Sequence, residues 1–312
     1  YNPLSPTFQP KLIKFMKISK IFPKLLLLFL VFGSPLNANE EEEQFNISSC
    51  PKKGSGNNTV SYIQNSLNGV CLHTPDKFEI VIYEMGLCAQ GQNPIGTNGT
   101  TFDLEKCITT MKSTGTTVDL APGTASEKTA ALPQSSSRPP SDTYEYAYII
   151  LSKDIKMNGN YELSDGTICY SKQGVYEDGY KYGEADCSAS ATQQDHYDEL
   201  NDMGDGRTWS GYMQATPMPT GGSVEALLVT EGNAIATSKN SVKRLVGLFK
   251  TAASSPVVIK DDTNGLEMVL EVSVNEEGKG GSYMLQTNFN NNGDLILEGF
   301  GSAPFKPRFT TF

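Results

Sequence analysis

Apolar and polar residues alternate in the segment "TPDKFEIVIYEMGLC" (residues 74–88). Phe78, Ile80 and Ile82 occupy every second position, and the positions between them are mixed. This period of two predicts a β-strand that is buried on one face and partly buried on the other. Pro75 bounds the strand at its start, and Cys88 follows it directly.

Similar short apolar segments recur along the chain, separated by Gly, Asn, Pro or Ser. They are "CITTMK" and "TTVDL" (both within 107–120), "TYEYAYIILS" (143–152), "WSGYMQAT", "VEALLVT", "RLVGLFKT", "PVVIKD", "LEMVLEVSV", "SYMLQTN" and "DLILEGF". This rhythm predicts an all-β protein, an antiparallel β-sandwich of the jelly-roll or immunoglobulin-like kind. One large or two small β domains would both fit the chain length.

Two Asp-Gly pairs, at 165–166 and 178–179, predict β-hairpins, because Asp-Gly favours the tight turn that joins twisted strands. Residues 192–203 predict a short helix that ends at Gly204. Residues 241–253 fit either an amphipathic helix or a strand, and the β-rich neighbours favour the strand.

The N-terminal part has the layout of a secretory signal peptide at residues 16–38. A lysine-containing stretch (17–24) precedes the apolar residues Leu25–Phe32, and Ala38 supplies a small residue for cleavage. Residues 1–15 then represent upstream sequence outside the fold. An uncleaved anchor is the alternative, but the apolar stretch is shorter than the roughly 20 residues that a membrane span needs. We therefore expect no membrane span after cleavage.

The remaining chain divides by composition into four regions. These are a polar N-terminal segment (39–74), in which residues 40–65 are expected to be a solvated tail, a first β region (75–152) with a linker-like stretch (121–143), a Cys- and Tyr-rich hairpin insertion (153–215), and a C-terminal β region (216–312).

Six cysteines follow the predicted signal peptide: Cys50, Cys71, Cys88, Cys107, Cys169 and Cys187. An even number in an exported chain predicts three disulfides, and pairing between nearest neighbours is the simplest of the fifteen connectivities. A zinc site is disfavoured because no two cysteines have the close spacing of zinc ligands. We expect a secreted or cell-surface location, with the periplasm as an alternative.

The formal net charge of −10 argues against nucleic-acid binding, which relies on Lys and Arg. The chain contains two histidines and lacks the nucleophile elbow, the zinc-protease motif and the phosphate-binding loop. We therefore predict no catalytic residues and no enzymatic activity, with a secreted hydrolase as the least favoured alternative.

Two groups of residues are candidate binding sites. The first is the acidic segment "DHYDELNDMGD", in which Asp195, Asp198, Asp202 and Asp205 could supply the oxygen ligands of calcium. Its spacing departs from the known calcium loop, so a solvated acidic loop without a cofactor is favoured. The second is the stripe of Tyr144, Tyr146 and Tyr148, at the start of a tyrosine-rich region that extends to residue 182. Such rings line glycan- and protein-binding faces, but they also stabilise strand pairing.

The C-terminal segment "FKPRFTTF" ends on Phe312, as the last strand of an outer-membrane barrel does. Lys306, Arg308 and Thr310 fall on the face that such a strand would turn to lipid. The barrel is therefore only a minor alternative.

The block "TPDKFEIVIYEMGLC", followed by a Thr/Gly/Asn-rich loop and Cys107, resembles a group of small exported β-rich proteins of uncertain function from marine bacteria. Residues 153–215 form an insertion relative to that pattern. The resemblance implies an exported β protein and brings no catalytic residues with it.

These observations favour a non-enzymatic structural or adhesive subunit, at the cell surface or outside the cell, that pairs with further copies of itself through strand edges. The alternative is a soluble module that binds surface glycans or another ligand through the tyrosine-rich 144–182 region.

Overall fold

The computed structural model describes residues 47–121, 138–204, 208–218, 222–274, 281–303 and 306–312. The predicted upstream extension, the signal peptide, most of the linker-like stretch and Asp205 lie outside these residues. Within the part of the chain that is described, no helix has the length and apolar composition needed to cross a membrane.

Seventeen β-strands and one α-helix are formed by the described residues. The helix α1 is Val60–Ser66, and the strands are β1 (Val70–His73), β2 (Lys77–Ala89), β3 (Cys107–Asp119), β4 (Asp142–Ser152), β5 (Asp154–Asn158), β6 (Asn160–Glu162), β7 (Ile168–Val175), β8 (Lys181–Asp186), β9 (His196–Glu199), β10 (Tyr212–Pro217), β11 (Ser223–Val229), β12 (Arg244–Lys250), β13 (Val257–Ile259), β14 (Leu266–Glu271), β15 (Tyr283–Phe289), β16 (Leu295–Ser302) and β17 (Lys306–Thr311).

The strands form two large antiparallel sheets and a two-stranded ribbon. The smaller sheet has the order β1-β15-β16-β8-β7-β6, and β14 pairs with β17 in the ribbon. The larger sheet runs β10-β11-β12-β4-β2-β3. β5 pairs with the start of β2, on the same edge of β2 as β4. β9 pairs with β5, and β13 pairs with β4. Both sheets curl. The all-β prediction is confirmed.

The main apolar core lies between the two sheets. Phe78, Ile149 and Phe249 of the larger sheet belong to the same buried cluster as Leu285 and Phe300 of the smaller sheet. Burying an aliphatic or aromatic side chain of this size contributes about 1.5–3 kcal/mol. Packing of two inner faces is the arrangement of a β-sandwich, which agrees with the prediction.

A second apolar layer covers the outer face of the larger sheet. Ile95, in the loop between β2 and β3, packs in one cluster with Tyr148, Ile150 and Leu227. The disulfide between Cys88 and Cys107 closes this loop. Because the loop covers β4 from outside, both faces of that strand are buried.

The three disulfides join nearest neighbours, as predicted: Cys50–Cys71, Cys88–Cys107 and Cys169–Cys187. In the second pair the two cysteines are direct partners in the register of β2 and β3. Each disulfide closes a loop of about 20 residues, which corresponds to roughly 3 kcal/mol in the chain-entropy description. Three disulfides indicate that the protein folds in an oxidising compartment.

Both Asp-Gly turns join neighbouring strands, β6 with β7 and β7 with β8, so the hairpin predictions are confirmed. Gly166 and Gly179 have φ angles of 86° and 87°, a conformation that glycine adopts without strain. Residues 244–250 form a strand, as the β-rich neighbours indicated.

Three local predictions are wrong. The helix at 192–203 is instead the strand β9, because buried His196 and Asp198 alternate with exposed Tyr197 at the period of a strand. Residues 107–119 form one continuous strand instead of two, because Ser113 donates a hydrogen bond to the carbonyl of Ile82 where the register shifts. The solvated tail predicted at 40–65 contains most of the helix α1 in its described part.

The region 153–215 contributes strands to both sheets. Its strands β5 and β9 belong to the larger sheet, and β6, β7 and β8 belong to the smaller sheet beside β16. The boundaries at 152 and 216 therefore do not separate structural units.

Candidate functional site

The predicted tyrosine stripe on β4 is mostly covered. Tyr144 and Tyr148 are only 2% and 1% exposed. The Tyr148 hydroxyl donates to the buried carboxylate of Glu84 at 2.8 Å, and the Tyr144 hydroxyl donates to the carbonyl of Pro140 at 2.9 Å. The prediction that Tyr144, Tyr146 and Tyr148 form one accessible binding face is therefore wrong. The loop between β2 and β3 covers Tyr148, and β13 packs against Tyr144.

The acidic segment 195–205 separates into independent carboxylates. Asp195 lies at the surface, where it accepts hydrogen bonds from Lys77 at 2.7 Å and from Asn158, and pairs with Lys156 at 3.0 Å. Burial alone would raise the pKa of Asp195, but these hydrogen bonds lower it to about 2. Asp195 is thus engaged by two cations of its own chain.

The next two carboxylates point into the protein. Asp198 is buried and accepts hydrogen bonds from the backbone amide and the hydroxyl of Ser302, at 2.8 and 2.6 Å. Asp202 is 1% exposed and accepts from the amides of Gly204 and Ser210, at 2.9 and 3.0 Å.

No group of three or more candidate metal ligands converges anywhere in the described ranges. The calcium prediction is therefore wrong for Asp195, Asp198 and Asp202, because each carboxylate is committed to different partners. The favoured alternative, a solvated acidic loop, is also wrong for Asp198 and Asp202, because their carboxylates accept hydrogen bonds inside the fold.

A different cluster forms on the outer face of the smaller sheet. We call it the Glu298 site. Its members come from β8, β15, β16 and the turn after β7, and they interact by ring stacking, by a hydrogen bond and by charge: Tyr176, Tyr182, Glu184, Asn288 and Glu298.

Tyr182 can lie flat on the sheet because its cross-strand partner is a glycine. Gly174 on β7 faces Tyr182 on β8, and a Cβ atom at Gly174 would lie 2.5 Å from Cζ of the tyrosine ring. An aromatic ring packed over a glycine fills the space that the glycine leaves empty because it has no side chain. The sequence pair Gly174 and Tyr182 thus fixes the ring against the strand.

Tyr176 extends this surface into an aromatic platform. It stands in the turn after β7 and stacks on Tyr182, with ring centroids 4.2 Å apart and an angle of 20° between the ring planes. Both residues are partly exposed. Stacked tyrosines combine apolar area with polar hydroxyl groups.

Glu298 stands beside the platform in a β-bulge of β16. Gln286 pairs with Gly299 and Thr287 pairs with Leu297, so Glu298 is the extra residue between them. Bulges redirect side chains and are common next to functional sites. One carboxyl oxygen of Glu298, Oε2, is buried and has no hydrogen-bond partner within the described structure.

The charges of the site influence one another. Burial raises the pKa of Glu298, a hydrogen bond from Asn288 opposes the rise and the charge of Glu184 adds to it, giving a pKa of about 7. Burial, followed by the charges of Glu184 and Glu298, also raises the pKa of Tyr182. A carboxyl group with a pKa near 7 can both donate and accept hydrogen bonds at neutral pH.

Glu184 is held in place from the other side. Lys172, its cross-strand partner on β7, lies 3.3 Å from one Glu184 oxygen and 3.5 Å from Asp186. Because these two acids already engage Lys172, this lysine is a poor counter-ion for Glu298.

A second exposed aromatic ring lies outside the Tyr176–Tyr182 stack, although the Gln173 amide donates to the backbone carbonyls of both Tyr182 and Tyr197, at 2.9 and 3.3 Å. Tyr197 on β9 is 38% exposed, and the ammonium group of Lys181 lies 5.1 Å from its ring centroid. The side-chain amide of Gln173 accepts a hydrogen bond from the backbone amide of Tyr197 and donates one to its backbone carbonyl. The Tyr197 ring is exposed, but a lysine ammonium group already lies over one of its faces. Tyr197 is therefore a suitable control for the exposed rings of the Glu298 site.

Sequence reasoning identified only part of the Glu298 site. Tyr176 and Tyr182 fall in the predicted tyrosine-rich region, but Glu184, Asn288 and Glu298 were missed. A signal for Glu298 exists in "EGFGS" (298–302), because glycines inside a strand often mark a bulge or a close approach of backbones.

The arrangement suits a ligand with an apolar face and several hydroxyls. The rings offer stacking, and the carboxyl and amide groups of Glu298 and Asn288 offer hydrogen bonds beside them. Comparison with known proteins finds no protein-family model, no curated protein and no solved structure that matches this chain. The resemblance to exported proteins of marine bacteria stays a prediction.

Proposed function

We propose that this protein is a secreted, non-enzymatic adhesive module that binds uncharged glycans at the Glu298 site. The observation that carries the proposal is the stacked pair of Tyr176 and Tyr182 next to the half-buried carboxyl of Glu298. Sugar rings present C–H groups to aromatic faces and hydroxyls to polar neighbours, so both parts of the cluster would be used.

The charge of the surroundings supports an uncharged ligand. After burial, the charge of Glu184 raises the pKa of Tyr182 most, so this acid acts on the platform, and the whole chain carries a formal net charge of −10. Uronic acids and sulfated sugars would be repelled by this field. Neutral hexoses and N-acetylated sugars would not.

The three disulfides support a location outside the cytoplasm, where surface glycans are found. The signal-peptide layout of residues 16–38 agrees with export.

A glycan array probed with the purified mature protein tests this function. We expect binding to uncharged glycans that falls at least tenfold in Tyr182→Ala, because loss of a stacked aromatic ring costs about 1.5 kcal/mol or more. Tyr197→Ala is the matched control, since it removes another exposed ring and should leave binding unchanged. Equal loss in both variants, or no glycan bound by the wild type, would contradict the proposal.

A structural subunit is the second candidate, and one observation favours it. β3 is a border strand of thirteen residues, paired along one edge with β2. A border strand of this length can add a strand from a second copy. The two register shifts between β2 and β3 bend this edge, however, and bulged edges resist flat pairing.

Sedimentation equilibrium over a hundredfold range of concentration tests the subunit. A subunit that adds strands would show a mass that rises with concentration, whereas a constant monomer mass would contradict it.

A further inference from the structure

The inference concerns how Glu298 takes part in binding, and it rests on the proposed function. Its Oε2 atom is buried without a hydrogen-bond partner in the described structure, while the Glu298 side chain as a whole is partly exposed. A negative charge on this carboxyl would leave the buried oxygen without a donor, so the burial of Oε2 favours the neutral acid.

The groups that face Glu298 are acidic or neutral on each neighbouring element. β8 contributes Glu184 and Tyr182, and β15 contributes the amide of Asn288. The turn after β7 contributes Tyr176, whose pKa is raised first by burial and then by the charge of Asp198 on β9, among other acids.

Lys172, a cation on the same sheet, is already used. Lys172 on β7 bonds Glu184 and Asp186 on β8, at 3.3 and 3.5 Å. The ionised form of Glu298 is therefore opposed by burial and by Glu184, while the amide of Asn288 is its one counteracting partner in the described surroundings.

We propose that Glu298 binds its sugar as the neutral acid and donates a hydrogen bond from its carboxyl to a sugar oxygen, so that a Glu298 carboxylate that is ionised in the free protein takes up one proton on binding. A glycan stacked on Tyr176 and Tyr182 would displace water from Glu298. Removing water disfavours a charged carboxylate further, so the complex holds the proton more tightly than the free protein does. The proton comes from solvent and returns to it on release.

The expected effect is a loss of affinity as the pH rises. With a free-state pKa of about 7, binding is constant below that value and weakens tenfold for each pH unit above it. Between pH 5.5 and pH 8.5 the dissociation constant should increase by about 30-fold.

Two variants assign the effect to this residue. Glu298→Gln keeps the shape and a hydrogen-bond donor but cannot ionise, so its binding should be independent of pH. Glu184→Gln removes the neighbouring charge that favours the acid form, so the pH at which binding weakens should move downwards.

The test is an array of uncharged glycans probed at pH 5.5, 7.0 and 8.5 with wild type, Glu298→Gln and Glu184→Gln. Circular dichroism at each pH verifies that every variant is folded. Glu298→Gln, whose binding should not change with pH, reports any effect of pH on the array itself, and Tyr197→Ala should reproduce the wild-type profile.

Three results separate the ideas. A wild-type signal that falls with pH, together with a flat signal for Glu298→Gln, is the expected outcome. A flat wild-type signal, or a Glu298→Gln signal that falls like the wild type, would overturn the role of Glu298 and leave glycan binding in place. No binding at any pH would overturn the proposed function itself.

Discussion

Tyr148→Phe removes one hydroxyl from the buried side of the larger sheet and changes little else. In the wild type this hydroxyl donates to Oε1 of Glu84 at 2.8 Å and lies 3.0 Å from the hydroxyl of Thr109. Glu84 is 5% exposed, so water cannot readily replace the lost donor. Burial and the neighbouring Glu84 both raise the pKa of Tyr148, so the hydroxyl keeps its proton at any physiological pH.

The magnitude follows from the kind of bond that is lost. Hydrogen bonds to charged groups contribute about 1.5–3 kcal/mol, and an unsatisfied buried acceptor adds to the cost. Thr109 still donates to Glu84 at 3.0 Å, and Lys112 lies 3.5 Å away, although its ammonium is mostly exposed and adds little. We expect Tyr148→Phe to lower the free energy of unfolding by about 2 kcal/mol.

Urea unfolding with the disulfides intact measures this free energy. Tyr146→Phe is the matched control on the same strand, because Tyr146 is only half-buried, and we expect a change of less than about 0.5 kcal/mol. A double-mutant cycle with Glu84→Gln should give a coupling of about 1 kcal/mol or more. Equal effects of Tyr148→Phe and Tyr146→Phe, or additive effects in the cycle, would refute the reasoning.

Four further outcomes are expected. Gly174→Ala should abolish glycan binding but cost only about 1 kcal/mol of stability, because the new methyl displaces a movable tyrosine ring; binding retained at wild-type strength would contradict this. Asp198→Ala should cost roughly 3 kcal/mol in urea unfolding, since two donors of Ser302 lose their acceptor; a change within 0.5 kcal/mol, the roughly neutral range of surface substitutions, would contradict it. Asp195 has a lowered pKa, so its contribution to the free energy of unfolding is present above pH 3.8, its ordinary pKa, and is lost as the pH falls towards 2. Asp195→Asn should flatten that part of the curve of stability against pH by less than about 1 kcal/mol, and an unchanged curve would contradict the assignment. Glu298 has a raised pKa, so its contribution to the free energy of unfolding is fully present below pH 4.5, its ordinary pKa, and is lost as the pH rises through 7. Glu298→Gln should therefore be more stable than the wild type at pH 8.5, by on the order of 1 kcal/mol, and a less stable variant would contradict the account.

Local patterning predicts the strands well because each one carries its own signal. The alternation of Phe78, Ile80 and Ile82 predicts β2 together with its buried face, and the Asp-Gly pairs predict both hairpins. Cys88 and Cys107 are near each other in the sequence. They are also close in space, because they lie opposite one another on the paired strands β2 and β3.

Properties that depend on distant partners were not predictable in this way. The stripe containing Tyr144 and Tyr148 is buried because a separate loop and β13 pack on this part of the sheet, and no pattern within β4 reports that cover. Asp198 is buried because Ser302, more than a hundred residues away in sequence, supplies its donors.

The Glu298 site shows the same limit. Tyr176 and Tyr182 are near each other in sequence and belong to a predicted tyrosine-rich region. Glu298 reaches them only because β16 pairs with β8, a contact between strands more than a hundred residues apart. Its unusual acidity depends on this pairing and on burial, and neither is encoded in the local sequence around residue 298.

The central claim is that an uncharged glycan binds on the outer face of the smaller sheet. Chemical-shift mapping by NMR, during titration with a glycan retained on the array, locates the ligand directly. We predict that the largest shifts fall at Tyr176, Tyr182, Asn288 and Glu298, with little change at Tyr197. Shifts centred on Tyr197, or spread without a centre over both sheets, would contradict the account.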